Sequence, residues 1–337
     1  MPVRGREGVF SSTGFRIRAA QPAAATASVV RWAEHFAASV FFTLFPANCR
    51  ICGSPLLQVS RLPVCCDCLS SLRPLSGALC TVCGEGLHYS TFRGQRSSAE
   101  PAAHLNSRCR LCEQVRPPFE RAVAYGSYES ALRDLIHLLK FDQVRPAAPV
   151  LGSMLAESIA NLESSLPTGI MAVVPVPLHA RKETQRGFNQ AELIARAALK
   201  KLAGKGIGNN RFELCSRVLV RLRDTGSQIG LSRHQRRRNL RGAFAVIEAT
   251  SILNRDVLVV DDVYTTGATA AECARVLRRA GAARVWVATV GRTMRVPNSG
   301  IEMVGISEGW DEADIESVDE GREAKSEEES VGIRVQG

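Results

Sequence analysis

The residues best equipped for chemistry lie in Val257-Leu258-Val259-Val260-Asp261-Asp262-Val263-Tyr264-Thr265-Thr266-Gly267-Ala268-Thr269. Val257 to Val260 is a β-branched run and reads as a buried strand. Thr269 to Ala280 reads as a helix with Gly281 as its C-cap. Open parallel sheets bind ligands outside the carboxyl ends of their strands. A helix start there offers free N–H groups and a partial positive charge, which suit a phosphate monoester. Gly267 lets the backbone approach such a group closely, and Thr265, Thr266 and Thr269 add hydroxyls. Asp261 and Asp262 can accept hydrogen bonds from vicinal ribose hydroxyls and favour a nearby Mg²⁺, an ion that prefers oxygen ligands. Neither a Walker A loop nor a dinucleotide-binding glycine pattern is present. A plain polar turn with an Asp/Thr cap is the competing reading; the whole ordered run makes it the weaker one.

Three further segments supply cations. Val174-Pro175-Val176-Pro177-Leu178-His179 reads as a strand ending in a Pro-rich turn, followed by a basic loop that enters a helix at Arg186-Gly187-Phe188-Asn189-Gln190. Arg181, Lys182 and Arg186 there would meet a pyrophosphate, and Arg can grip its oxygens in a bidentate fork. Gln228 to Phe244 holds Ser232-Arg233-His234-Gln235-Arg236-Arg237-Arg238-Asn239. That stretch, with Arg236 as its candidate contact, can close over a pyrophosphate or lie along a nucleic-acid backbone. Lys140 ends an amphipathic helix, where by itself a lysine is ordinary.

Nine of the eleven cysteines fall between Cys49 and Cys112. Cys49/Cys52 with Cys65/Cys68 can form one tetrahedral thiolate site, and Cys80/Cys83 with Cys109/Cys112 a second. Structural zinc is the expected occupant. Cys66 could replace Cys65, and the pairs could interleave. Redox thiols or an iron–sulfur cluster are minor alternatives. Cys215 and Cys273 read as buried cysteines without a special role.

Positioning these groups requires a scaffold. Leu132, Leu135, Ile136 and Leu139 mark one helix face; Leu151, Leu155, Ile159 and Leu162 mark a second, stopped by Pro167. Ile170 to Val174 reads as a strand, Asn189 to Leu202 as a helix ended by Gly204, and Leu214 to Leu222 and Ala243 to Ile247 as strands. With Arg284 to Val290 as another strand, the C-terminal part forms a βαβ unit, hence an α/β fold with a parallel sheet. The chain of 337 residues fits roughly two domains of ordinary size. Its net charge of +10 is uneven, because Asn298 to Gly337 holds twelve acidic and three basic residues. The basic remainder favours anionic partners. Phe36 to Cys49 is uncharged, too short for the roughly 20 apolar residues of a membrane span, and reads as a helix. No secretory signal is evident, so a cytoplasmic location without membrane insertion is expected, and metal binding is favoured over disulfides.

The Val257–Thr269 stretch resembles the signature of type I phosphoribosyltransferases. That resemblance implies Asp261 and Asp262 at the ribose hydroxyls and Thr265, Thr266, Gly267, Ala268 and Thr269 at the 5′-phosphate of phosphoribosyl pyrophosphate. Purine-salvage members often carry an acid where Thr265 stands, and its absence argues against a hypoxanthine- or guanine-type enzyme. The order of motifs resembles the ComF family of competence-associated phosphoribosyltransferase-like proteins over residues 40 to 293. Paired cysteines come first, then Lys140-Phe141, Pro175-Val176-Pro177-Leu178-His179, Arg186 to Gln190, a basic stretch ending in Gly242-Ala243-Phe244, and the Asp261-Asp262 loop. The resemblance implies a double zinc ribbon at 36–116 and a phosphoribosyltransferase domain at 117–297; outside it, composition alone reads 1–35 as a disordered extension and 298–337 as an acidic disordered tail. It implies Zn²⁺ and Mg²⁺ as cofactors and phosphoribosyl transfer to an unnamed acceptor. Its link to DNA uptake brings in a non-catalytic, DNA-binding accessory as the other reading, with single-stranded DNA or DNA-uptake proteins as partners.

Overall fold

The computed structural model describes residues 47–56, 60–87, 107–205, 211–224 and 233–294. The expected helix from Phe36, the N-terminal extension and the acidic tail lie wholly or almost wholly outside them.

The elements in chain order are α1 (Cys66–Ser70), α2 (Arg110–Gln114), β1 (Arg121–Ser127), α3 (Ser130–Lys140), α4 (Ala147–Ala160), β2 (Met171–Pro175), α5 (Ala180–Arg186), α6 (Gln190–Gly204), β3 (Phe212–Leu214), β4 (Leu219–Arg221), α7 (Arg233–Leu240), β5 (Phe244–Val246), β6 (Asp256–Tyr264), α8 (Ala268–Arg279) and β7 (Arg284–Arg292). Five strands form one sheet in the order β1-β7-β6-β2-β3, and every neighbouring pair is parallel. Strands β4 and β5 form a separate antiparallel ribbon.

Parallel strands are covered on both faces, so their sequences are near-continuous apolar runs. In β2 all five residues are buried. Alternation along β6 divides the interior into two cores. Leu258 and Val260 pack with α3, α4 and α6, while Val257 and Val259 pack with α8, Leu240 and the ribbon residues Leu219 and Phe244. Helices α4 and α6 approach so closely that a Cβ at Gly152 would overlap the Ala197 side chain.

The cysteine-rich segment shares these cores: Cys49, Leu56, Leu62, Val64 and Leu72 join the α3/α4 side, and Cys80, Val82, Cys83 and Cys112 join the α8 side. It also covers the outer edge of β1. Ala122 N–H donates to Val82 O at 2.7 Å, and Leu75 N–H donates to Tyr125 O at 2.6 Å.

Several sequence expectations are corrected. Strand β1 was not anticipated, because Arg-Ala-Val-Ala-Tyr-Gly-Ser is short of large aliphatics and only Ala122 and Gly126 in it are buried. Leu214 to Leu222 is two strands separated by a turn, each pairing with a different partner. Strand β6 runs through both aspartates to Tyr264, so these acids sit on a strand and not in a loop. The basic loop after His179 is helix α5, capped by the His179 side chain, which accepts from Arg181 N–H. Helix α6 ends at Gly204 as expected, running two residues past Leu202 with Lys205 as its C-cap. Cys273 is buried, whereas Cys215 is only partly so.

Candidate phosphate and ribose site and thiolate centres

Alternation on β6 sends the two aspartates to opposite faces. Asp262 follows Leu258 and Val260 toward α3 and α6, and is 4% exposed. Its Oδ2 lies 3.1 Å from Lys140 Nζ and accepts from Gln190 Nε2 at 3.1 Å. The Asp262 charge, outweighing the cost of burial, raises the Lys140 pKa above its ordinary value. Arg186 donates to Gln190 Oε1 and stacks over Phe141 at 5.8 Å. Asp261 follows Val257 and Val259 toward the ribbon side. Its Oδ1 accepts the Asp262 backbone N–H at 2.9 Å. Burial, reinforced by the neighbouring Asp262 charge, raises its pKa to about 7.

The Arg186-Gly187-Phe188-Asn189-Gln190 motif is a joint between two helices. Gly187, at φ +74°, caps α5 in the left-handed conformation that glycine adopts freely. Phe188 is buried, and the Asn189 side chain caps α6 by accepting from Ala191 N–H at 3.0 Å. The joint thereby aims Gln190, the first residue of α6, at Asp262.

A small open pocket lies at the end of β6, lined by Asp261, Val263, Tyr264, Thr265, Gly267, Thr269, Ala270 and Thr289. Asp261 lines it and Asp262 does not, so the acids are not interchangeable. Gly267 is the N-cap of α8, at φ +81° and without a capping side chain. A Cβ there would collide with the Tyr264 hydroxyl. Only glycine fits, and the first turn of α8 presents its N–H groups to the pocket side.

The structure thus gathers Lys140, Arg186, Asp261, Asp262 and the turn from Thr265 to Thr269 around one strand end. Arg181 is exposed on α5. Lys182 pairs with Asp224 at 2.9 Å and not with the acids of β6. Arg236 falls on α7, but its side chain lies outside the described residues. Two residues of the site carry no signal of their own in the sequence. Gln190 only closes the Arg186–Gln190 motif, and Arg221 stacks on Phe244 at 5.5 Å, its pKa lowered by burial against an opposing pull from Asp261. A lone arginine in a three-residue strand gave no signal.

The cysteines form two groups: Cys49, Cys52, Cys65, Cys68 and Cys80, Cys83, Cys109, Cys112, with all sulfurs of a group within 4.8 Å of one another. Both are built alike. Gly53 and Gly84 follow the first pair at φ +78° and +71°, and their N–H groups return to Cys49 O and Cys80 O, each at 2.8 Å. The second pair comes from a short helix whose N-cap is a cysteine, Cys65 for α1 and Cys109 for α2. This settles the choice at 65/66. The Cys65 sulfur, at the cap, accepts Cys68 N–H at 3.4 Å, whereas Cys66 lies exposed beyond it. Sulfur separations of 3.9 Å for Cys49–Cys68 and 3.6 Å for Cys52–Cys65 and Cys83–Cys109 match the ~3.8 Å edge of a tetrahedron with ~2.3 Å Zn–S bonds. Each group can hold one zinc. Packed this tightly, the thiols share protons unevenly: hydrogen bonds from neighbouring cysteines lower Cys80, while those same neighbours and burial raise Cys112.

A parallel sheet with this glycine-capped turn at the end of β6, joined to a module with two four-cysteine groups, defines a type I phosphoribosyltransferase fold with a zinc-ribbon segment. Comparison with known proteins agrees. The chain is 32% identical over 252 residues to the DNA utilization protein YhgH of Salmonella typhimurium, covering 74% of this chain and 98% of that protein. It is 28% identical over 228 residues to competence protein F of Haemophilus influenzae, covering 66% and 94%. It is 23% identical over 226 residues to competence protein ComFC of Bacillus subtilis, covering 65% and 80%. The chain belongs to the ComF family. No protein-family model matches it. Among solved structures, a Bacillus subtilis glutamine phosphoribosylpyrophosphate amidotransferase aligns at 24% identity over 53% of this chain and 33% of that one, with a TM-score of 0.25. Among the described residues no helix is long and apolar enough to cross a membrane.

Proposed function

We propose that this protein binds phosphoribosyl pyrophosphate or a related phosphoribosyl ligand with Mg²⁺ and transfers the phosphoribosyl group to an acceptor. The observation that carries this reading is the pocket at the end of β6, where Asp261 faces the glycine-capped start of α8. The turn from Thr265 to Thr269 would take the 5′-phosphate. Asp261 would take the ribose hydroxyls, with Asp262 held behind it by Lys140 and Gln190. Arg181, Lys182, Arg186 and Arg236 are assigned to the pyrophosphate. Asp261, a carboxylate whose ionisation the protein alone disfavours, would help hold a hard divalent cation, which would neutralise pyrophosphate charge when bound. In the transfer, the bond from the anomeric carbon to pyrophosphate oxygen breaks. Its electron pair leaves with pyrophosphate, and an acceptor lone pair forms the new bond. The chain acts by positioning and electrostatic stabilisation. We assign the zinc-ribbon module to 36–116, the transferase domain to 117–297 and a cytoplasmic location.

Calorimetry with phosphoribosyl pyrophosphate and Mg²⁺ tests the reading. Binding is expected in the wild type and a loss of at least tenfold in Asp261→Asn; equal binding in both would refute the site. Pyrophosphate release across amines and bases then distinguishes enzyme from sensor.

A second reading rests on the DNA-related names of the relatives and on the basic sequence of α7, Arg-His-Gln-Arg-Arg-Arg-Asn-Leu. In it the pocket senses a phosphoribosyl ligand or nucleotide without catalysis, while single-stranded DNA or a DNA-uptake protein is bound elsewhere. Salt-dependent retention of single-stranded DNA without pyrophosphate release would favour it.

A further inference from the structure

We propose that Arg292 is a positioning residue that fastens the second thiolate centre to the phosphate turn, making that centre a working part of the ligand site. The consequence for ligand affinity rests on the phosphoribosyl reading; the fastening itself does not.

Arg292 ends β7 and lies opposite Tyr264, the last residue of β6, in the parallel register. Its side chain is 4% exposed. Nη2 donates to Glu85 Oε2 at 2.7 Å and to Cys83 Sγ at 3.6 Å. The guanidinium carbon sits 4.4 Å from the centroid of the Tyr264 ring. Nε and Nη1 are buried with no hydrogen-bond partner among the described residues, so on that side the ring face is what meets the cation. Tyr264 in turn lines the pocket, and its hydroxyl occupies the space that a Cβ at Gly267 would need. One side chain therefore touches a cysteine of the centre and the aromatic ring that supports the phosphate turn.

Charge explains why an arginine stands there. Four thiolates around a divalent cation leave a net charge of about −2. Three of the four cysteines of this centre are buried, and Arg292 is the cation against it. A bound metal thus holds the guanidinium at Cys83 and keeps Tyr264 under Gly267. The first centre has no such link among the described residues. Its neighbours are α1 and the core beside α3 and α4, and the Arg50–Asp142 pair beside it is exposed.

The test uses the full chain, wild type and Arg292→Gln, each checked for metal content. Amide hydrogen exchange is followed over Thr265–Ala270, with Val257–Val260 as the internal reference. The turn amides are expected to exchange at least tenfold faster in the variant, with the reference unchanged. Equal turn exchange in a folded variant would overturn the proposal. Should Arg292→Gln fail to fold, Tyr264→Leu breaks the same link without touching Cys83 and must give the same loosening, or the proposal falls. A second readout is zinc release to a chelator. Ribose 5-phosphate should slow the release of one of two zincs at least fivefold in the wild type and not in Arg292→Gln, since coupling between sites is reciprocal. Slowing that persists in the variant would count against Arg292. A loosened turn in a protein whose wild type binds no ribose 5-phosphate would keep the fastening and remove the phosphoribosyl reading.

Discussion

Replacing Lys140 by methionine leaves the carboxylate of Asp262 buried without its cation. At 3.1 Å and an effective dielectric of about 20, the gross attraction is roughly 5 kcal/mol. Desolvation of both groups offsets much of that, and Lys140 is still 28% exposed, which lets water screen the pair. A net coupling of about 1–3 kcal/mol is therefore expected. Lys140→Met should cost about 2–4 kcal/mol, because Gln190 alone then holds a charged Asp262. The sign with pH follows from the raised pKa of Lys140. Its contribution is fully present below the ordinary lysine value and is lost only as pH climbs through the higher folded value. Neutral and mildly alkaline stability should both show the full loss. Urea unfolding of the wild type, Lys140→Met, Asp262→Asn and the double variant, at constant m, gives the coupling directly. A coupling below about 0.3 kcal/mol would refute the view that this ion pair anchors the site.

Asp261→Asn should raise the stability of the ligand-free protein by about 1–2 kcal/mol at pH 8 and by little at pH 5, as urea midpoints will read. The folded carboxyl has its pKa raised to about 7, so the native state binds the proton more tightly than the unfolded chain. The wild type loses stability as pH rises through that value, and the amide does not. Gly267→Ala should cost about 1–3 kcal/mol and abolish phosphate binding, measured by urea titration and calorimetry, through its positive φ and the overlap with Tyr264. Metal analysis should find two zincs per chain, one in Cys65→Ser and still two in Cys66→Ser, since Cys65 alone of the two is a group member.

Where sequence anticipated the structure, a local rule was sufficient. The β-branched run of β6, the helical stripe of α3 and the C-x-x-C spacing each express one period or one ligand geometry, and each was readable without tertiary knowledge. What escaped depended on distant partners. Strand β1 is weakly apolar because β7 and the cysteine segment flank it, so its own pattern is faint. The unequal roles of Asp261 and Asp262 follow from strand alternation, which became visible only once β6 was seen to extend past both. The pairing of Lys182 with Asp224, forty-two positions away, likewise has no local signal. Arg292 closes a parallel strand like many others, and only the arrival of Cys83 and Glu85 from a segment some two hundred residues earlier gives it a partner.

The cover over β1 has a consequence for the life of the chain in a cell. Val82 and Leu75, which cap the strand edge, belong to a segment with little apolar core, arranged around thiolate clusters. A newly made chain short of zinc would expose a row of unpaired strand groups, the template on which polypeptides stack into aggregates. Metal supply would then decide how much of the protein accumulates in usable form before any ligand is met.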